Sequence, residues 1–187
     1  AMRALRQDLL TRHPELAHDA SALRQRGIEH ALRESGGDLA LAGPAYDAFY
    51  EERNRAEFYD DAVAALQRIA ARLPIVALTN GNADLERIGI AHLFRGMVTA
   101  RAFGAGKPDP AIFRHACELL GAAPENTLHV GDDIALDVIG AQSAGMQTAW
   151  INRIDATWPA GARPPDTIFT TLSACADWLD AHHAGTP

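Results

Sequence analysis

The sequence predicts an α/β fold: a parallel sheet with helices on both faces, preceded by a small all-helical lobe. Three observations predict it. From Asp60 onward, short apolar runs alternate with helical stretches, the pattern of strand–helix–strand crossovers. The clearest run, Ile75-Val76-Ala77-Leu78, is continuous rather than alternating, which suits a strand buried on both faces. Residues 1–57, by contrast, show helical spacing and no strand-like run. The chain thus divides into a helical part, 1–57, and an α/β part, 58–187.

In the first part, Leu5, Leu9 and Leu10 repeat at helical spacing until His13-Pro14 breaks the pattern. A second helix is expected from about Ala20 to Glu34, with Leu23, Ile28, Ala31 and Leu32 on one face and Ser35-Gly36-Gly37 as its stop. Pro44 opens a third, rich in aromatics: Tyr46, Phe49 and Tyr50, with Phe58 and Tyr59 following. Asp60-Asp61 then place negative charge at a helix start, where the dipole favours it. That helix buries Ala62, Leu66, Ile69, Ala70 and Leu73 and ends at Pro74. After the Ile75–Leu78 strand come a helix over about 83–94 and a short strand near Met97–Ala100. Asp109 as cap and Pro110 at the first helical position start the next helix, which Gly121 ends. Leu128–Val130 is a strand, Ile134–Ala144 a helix, Thr148–Ile151 a strand, Thr167–Phe169 a last short strand, and Ser173–His182 a closing helix. Pro159–Pro165 is a surface loop.

Composition narrows the function classes. The 187 residues are 48% hydrophobic, enough for a core with a small added lobe. With 24 acidic and 17 basic side chains, the formal charge is −7. A negative chain without a Lys/Arg cluster suits neither nucleic acid nor an anionic membrane. No apolar run reaches the roughly 18 residues of a membrane helix, and the amino end is a charged helical pattern rather than a signal peptide. Cys117 and Cys175 have no partner at metal-ligand spacing and read as small buried hydrophobes, in keeping with a reducing cytoplasm.

Ligands of open α/β sheets bind beyond the carboxyl ends of the strands. Three polar clusters follow predicted strands here: Thr79-Asn80-Gly81-Asn82, Gly104-Ala105-Gly106-Lys107-Pro108, and Gly131-Asp132-Asp133 with Asp137 one helical turn on. They supply a hydroxyl with turn amides, a cation and a carboxylate cluster. The Thr79 hydroxyl and amides around Asn80 and Gly81 can donate to phosphate oxygens. Lys107 is a compact charge suited to phosphate. Asp132, Asp133 and Asp137 repel one another unless a cation sits among them, and all-oxygen ligation favours Mg²⁺. Singly, each cluster is most often a plain turn, a solvated lysine or a helix cap; their order and spacing give them weight together. His129 reads as a hydrogen-bonded core histidine, and Tyr46, Phe49 and Tyr50 as lobe core.

The same residues carry a family resemblance. Ile75-Val76-Ala77-Leu78-Thr79-Asn80 resembles the second motif of the haloacid dehalogenase-like hydrolases. Gly106-Lys107-Pro108-Asp109-Pro110 resembles the third, and His129-Val130-Gly131-Asp132-Asp133 through Asp137 the fourth. The resemblance covers about residues 58–180 strongly. It implies a Rossmann-like core with the helical lobe as a small cap, and Mg²⁺-dependent hydrolysis of small phosphorylated metabolites. Thr79, Asn80 and Lys107 would serve catalysis and phosphate binding together with Gly81. Asp132 would hold the metal directly, with Asp137 or Asp133 assisting. The full acidic cluster favours a phosphatase over a metal-free dehalogenase.

One expected part has no match. The family's first motif is an apolar strand ending in Asp-x-Asp-x-Thr/Val, whose first Asp attacks the phosphoester. Asp8, Asp19, Asp38 and Asp47 follow no apolar strand, and Asp60-Asp61 opens a helix. The expectation is a chain that lacks this strand through a misassigned start, with Ala1 a cloning remnant before Met2, and that is inactive as it stands. The strand would lie between those ending at Thr79 and Val130. Its loss leaves a slot with unpaired backbone groups in the centre of the sheet, to be filled by another chain's segment or closed by the two flanking strands. The rival reading is a non-catalytic phosphate- or partner-binding domain; a weaker one is a homodimer formed through the slot.

Overall fold

The computed structural model describes residues 2–182, so Ala1 and the last five residues lie outside the described part. The chain divides into two compact units. The first is residues 1–56 with 79–90 and 99–106; the second is 57–78, 91–98 and 107–187. The first unit thus takes in two segments beyond the helical lobe expected at 1–57.

In the first unit, α1 (Met2–Arg12) packs on α2 (Ala20–Glu34), and α2 on α3 (Ala42–Arg53). Leu9 and Leu23 are buried between them. The α2 boundaries follow from local chemistry. Asp19 accepts the Ala22 amide at 2.9 Å as the amino-terminal cap, and Gly36 beyond the other end adopts φ 68°, a conformation that favours glycine. Residues 79–90 are tied to this bundle by polar contacts. The Asp84 amide donates to Asn54 Oδ1 (2.7 Å), and Asn82 Nδ2 donates to Ser21 Oγ (3.2 Å). The helix expected over 83–94 is cut short: α5 is only Leu85–Ile88, because Gly89 turns left-handed at φ 88° and a 3₁₀ turn at Ala91–Leu93 follows. A one-turn helix, α6 (Ala100–Phe103), completes this unit.

The second unit carries the sheet. Its helices are α4 (Ala62–Ala70), α7 (Pro110–Leu120), α8 (Gly140–Ser143) and α9 (Leu172–His182). Helix α4 packs on α9, where Arg68 bridges Asp177 and Asp180, while α7 packs on α8. Ile112, Phe113, Cys117, Val138, Ala149 and Cys175 form the core. Asp109 caps α7 through the Ala111 amide (2.9 Å), and Gly121 ends it at φ 72°, as expected. Gly140 lets α8 approach α7: a Cβ there would sit 2.8 Å from the Phe113 ring. The helix expected over 134–144 is instead a π-helix, Ile134–Ile139, running into α8.

Strands β3 (Leu128–Gly131), β4 (Gln147–Ile151) and β5 (Thr167–Phe169) form a parallel sheet in the order β3-β4-β5, with Val130 opposite Ala149 and Trp150 opposite Ile168. Strands β1 (Val76–Thr79) and β2 (Gly96–Thr99) form a separate pair. The α/β class with parallel strands is therefore observed, but the strands make two sheets rather than one. Strands β1 and β3 do not close up, and Ile75–Leu78 and Leu128–Gly131 both line a cavity of about 1110 Å³ within the second unit.

Asp61 departs from its expected role. It stands at the start of α4 but caps nothing there. Its carboxylate accepts the Leu172 and Ser173 amides at the start of α9 (2.6 and 3.2 Å) and pairs with Arg153 (3.0 Å). The Arg153 hydrogen bond, offset partly by burial and reinforced by the two amides, holds its carboxyl below the usual range. A carboxyl lowered on folding adds stability above its unfolded pKa, and that stability is lost as pH falls through the folded value. Asp61→Asn is therefore expected to cost about 2 kcal/mol at pH 7, with the gap to wild type narrowing below about pH 4. Urea unfolding at pH 7 and pH 3 checks this; an equal loss at both would contradict it.

Candidate active site

Lys107-Pro108 of one expected cluster and the whole Gly131-Asp132-Asp133 cluster with Asp137 fall in the second unit and meet there. Strand β3 delivers Gly131, and the chain turns through Asp132 and Asp133 into the π-helix. Asp133 is that helix's cap, its Oδ1 accepting the Ala135 and Leu136 amides (2.9 and 2.8 Å). The Asp133 carbonyl accepts from both Asp137 (2.9 Å) and Val138 (3.2 Å), and the second bond opens the wider π turn. This turn carries Asp137 back toward β3. Its Oδ2 accepts the Asp133 amide at 3.1 Å. Its Oδ1 takes Lys107 Nζ at 2.5 Å and His129 Nε2 at 3.2 Å. Gly131 makes room, since a Cβ there would lie 2.4 Å from Asp137 Cγ.

The three ionisable side chains are nearly sealed, at 13% exposure for Lys107, 7% for Asp137 and 11% for His129. Burial alone would raise the Asp137 carboxyl. The hydrogen bonds and charges of His129 and Lys107 outweigh it and hold that carboxyl well below the usual carboxylate range. Phe113 stands edge-on to the His129 ring, with centroids 5.0 Å apart, and so fixes the imidazole against the core. His129 is hydrogen-bonded and buried, as its position in a strand suggests. Its partnership with Asp137 was not foreseen; the eight-residue separation crosses a turn whose π geometry leaves no mark in the sequence.

Asp132 differs from both neighbours. It is exposed, its backbone carbonyl accepts the Trp150 indole N–H at 3.0 Å, and its carboxylate bonds to no group of the described residues. Among the described residues no three His, Cys, Asp or Glu side chains form a ready metal cage. The residues do fit Mg²⁺ held in its usual looser way, by one or two carboxylates, with waters and a phosphate completing the shell. Asp132 is the available carboxylate, and Asp133 keeps one oxygen outside its cap. Asp137 faces Lys107 and His129, with its other oxygen on the Asp133 amide.

The remaining cluster lies in the first unit. Thr79 Oγ1 accepts the Gly81 amide at 2.9 Å, so this amide is engaged within the turn and the hydroxyl proton is left to donate elsewhere. Asn80 packs on Gly106, where a Cβ would fall 2.8 Å from Asn80 Oδ1. The Arg53 guanidinium, from the carboxyl end of α3, reaches within 3.5 Å of the Cβ position of Gly81. It is a cation beside this turn that helical periodicity alone could not single out.

The haloacid dehalogenase-like hydrolase family matches residues 2–145. The chain belongs to that family. It is 39% identical over 157 residues to a phosphoserine phosphatase of Thermus thermophilus, a match covering 81% of this chain and 60% of that protein. It is 36% identical to a 5-amino-6-(5-phospho-D-ribitylamino)uracil phosphatase of Escherichia coli, covering 80% and 65%. The chain thus spans less than two thirds of the length of these two relatives. Among solved structures, a 2-haloacid dehalogenase from Pseudomonas syringae superposes with a TM-score of 0.86 at 34% identity, covering 96% of this chain and 79% of that one. Family members of this fold therefore include proteins named for either chemistry, and the site itself has to discriminate between them.

Proposed function

We propose that this chain carries the phosphate- and Mg²⁺-holding machinery of a phosphohydrolase acting on small phosphorylated metabolites. The observation that carries this reading is the end of β3. There a nearly buried lysine is fixed by Asp137, and an exposed carboxylate, Asp132, has no partner among the described residues. A metal bound at Asp132 would supply charge to offset a phosphate. Lys107 adds a second, geometrically fixed cation, and fixed charge in a sealed site is what stabilises phosphoryl transfer. Asp137 and His129 position Lys107. Thr79 and Asn80 keep the phosphate-binding role that the family resemblance implies. A metal-free dehalogenase has no use for the free carboxylate of Asp132, which favours the phosphatase over that alternative. The setting proposed is the reducing cytoplasm, in keeping with the buried, unpaired Cys117 and Cys175. No described helix is long and apolar enough to cross a membrane.

No aspartate in residues 1–187 ends an apolar strand in an Asp-x-Asp pattern, so these residues by themselves are proposed to bind but not to turn over. The 187-residue chain incubated with an aryl phosphate and Mg²⁺ is expected to release phosphate at background rate. Turnover that Lys107→Ala abolishes would place a nucleophile within these residues and overturn the proposal of inactivity. Asp132→Asn is expected to leave the melting temperature in chelator unchanged within about 1–2 °C, as for an exposed side chain. It should remove the rise in melting temperature that Mg²⁺ gives the wild type. An undiminished Mg²⁺ effect in this variant would exclude Asp132 as the metal carboxylate.

A further inference from the structure

The first unit holds a guanidinium that its own helix does not use. Arg53 stands in the last turn of α3 and is exposed. An arginine there ordinarily pairs with an acid one turn back or bonds the last carbonyls of the helix. Arg53 does neither. The residues three and four places before it are Tyr50 and Phe49. The carbonyls at this end are already taken. Asn54 Nδ2 donates to Tyr50 at 2.8 Å, and the Asn54 and Arg55 amides donate to Glu51 and Glu52, both at 3.1 Å. Among the described residues Arg53 makes no ion pair or hydrogen bond. Arg12, Arg33, Arg55 and Arg163, by contrast, each reach a carboxylate three or four residues away.

The guanidinium reaches instead to the turn after β1. A Cβ on Gly81 would lie 3.5 Å from Arg53 Nη2 and 3.2 Å from Thr79 Oγ1. Gly81 is not among the glycines with left-handed φ, so the backbone does not call for glycine there. The missing side chain leaves a bare face between a hydroxyl and a guanidinium. Thr79 Oγ1 accepts the Gly81 amide, so its proton is left to donate. Two donors without an acceptor among the described residues thus flank one face, and such a pair selects an anion. The forked guanidinium suits an oxyanion in particular. Asp84, the first acid after the turn, is engaged by the Glu86 and Arg87 amides of its own helix. The parts are also held in place. The Asp84 amide bonds Asn54, next to Arg53, and Asn82 bonds Ser21, which ties the turn to α3 and α2 within one unit. Donors fixed beforehand lose little freedom when a ligand binds.

We infer that Arg53 is a phosphate-binding residue: with the Thr79 hydroxyl it holds an oxygen of the substrate's phosphoryl group over the bare face of Gly81. This role rests on the phosphohydrolase reading, which supplies Thr79, and adds to it a residue from outside the three polar clusters.

The probe is inorganic phosphate, titrated calorimetrically into the 187-residue chain in chelator and with Mg²⁺. Arg53→Gln is expected to weaken binding about tenfold in both conditions. Arg53→Lys should weaken it about threefold, because the ammonium keeps the charge and loses the fork. Arg114→Gln removes an exposed charge from α7 and should leave the affinity unchanged. All three variants should melt within about 2 °C of wild type, as for exposed side chains. In the wild type, phosphate should slow phenylglyoxal modification of Arg53 but not of Arg114, and acetate at equal concentration should protect Arg53 less. Unchanged affinity in Arg53→Gln, or equal weakening by Arg114→Gln, would overturn the role of Arg53; the phosphohydrolase reading would survive either result if Lys107→Met still removed binding. Weakening by Arg53→Gln without any response to Mg²⁺ or to Lys107→Met would sink that reading and keep Arg53. Equal protection by acetate would assign the face to a carboxylate and overturn the phosphate assignment. No binding by the wild type would overturn both.

Discussion

Lys107→Met is expected to destabilise the chain by about 3 kcal/mol, lowering the melting temperature by roughly 6–12 °C. A loop lysine before a proline would ordinarily be replaceable at little cost. Here the ammonium is 2.5 Å from Asp137 Oδ1, and both side chains are nearly sealed from water. Removing the cation leaves a buried carboxylate with, among the described residues, only His129 and the Asp133 amide to answer it, and an uncompensated buried charge is costly. Pairing the change with Asp137→Asn is expected to recover much of the loss, because the charge that needed Lys107 is then gone. A double-mutant cycle by urea unfolding gives the coupling directly. A Lys107→Met variant within about 0.5 kcal/mol of wild type, the range of ordinary surface changes, would show that the pair does not form.

Gly131→Ala is expected to do comparable damage by a different route. The added Cβ would lie 2.4 Å from Asp137 Cγ and 2.5 Å from its Cβ. These atoms are close to the helix backbone, so no rotamer change clears them. Either β3 or the π-helix has to move. Overpacking of this kind costs about 1–3 kcal/mol, and displacing Asp137 forfeits part of its bonds to Lys107 and His129 as well. The signature that separates the two effects is the Lys107→Met change made in the Gly131→Ala background. There the lysine substitution should cost much less than in the wild type, since Asp137 has already been moved. Additive losses would show that the alanine is accommodated without disturbing Asp137.

What the sequence reveals here is local chemistry. Asp109-Pro110 and Gly121 bracket α7 because cap and stop act within a few residues of the backbone they govern. Asp19 and Ser35-Gly36 bracket α2 for the same reason. Asp132-Asp133 is legible as a turn and cap because both act directly after the strand that precedes them. What is not legible depends on partners distant along the chain. Gly89 shows no sign in the periodicity that it ends a helix one turn after it begins. Asp61 looks like a cap for the helix it precedes, yet its carboxylate serves α9, more than a hundred residues on. The π turn at Ile134–Ile139 has the apolar spacing of an α-helix, and only the return of Asp137 to Lys107 and His129 accounts for its width.

The most direct test of the phosphohydrolase reading is a calorimetric titration of inorganic phosphate into the 187-residue chain, with Mg²⁺ and with chelator. The site described predicts binding that Mg²⁺ strengthens, that Asp132→Asn makes indifferent to Mg²⁺, and that Lys107→Met, kept below its lowered melting temperature, removes. Phosphate binding of equal strength in all three proteins, or none in the wild type with Mg²⁺ present, would contradict it.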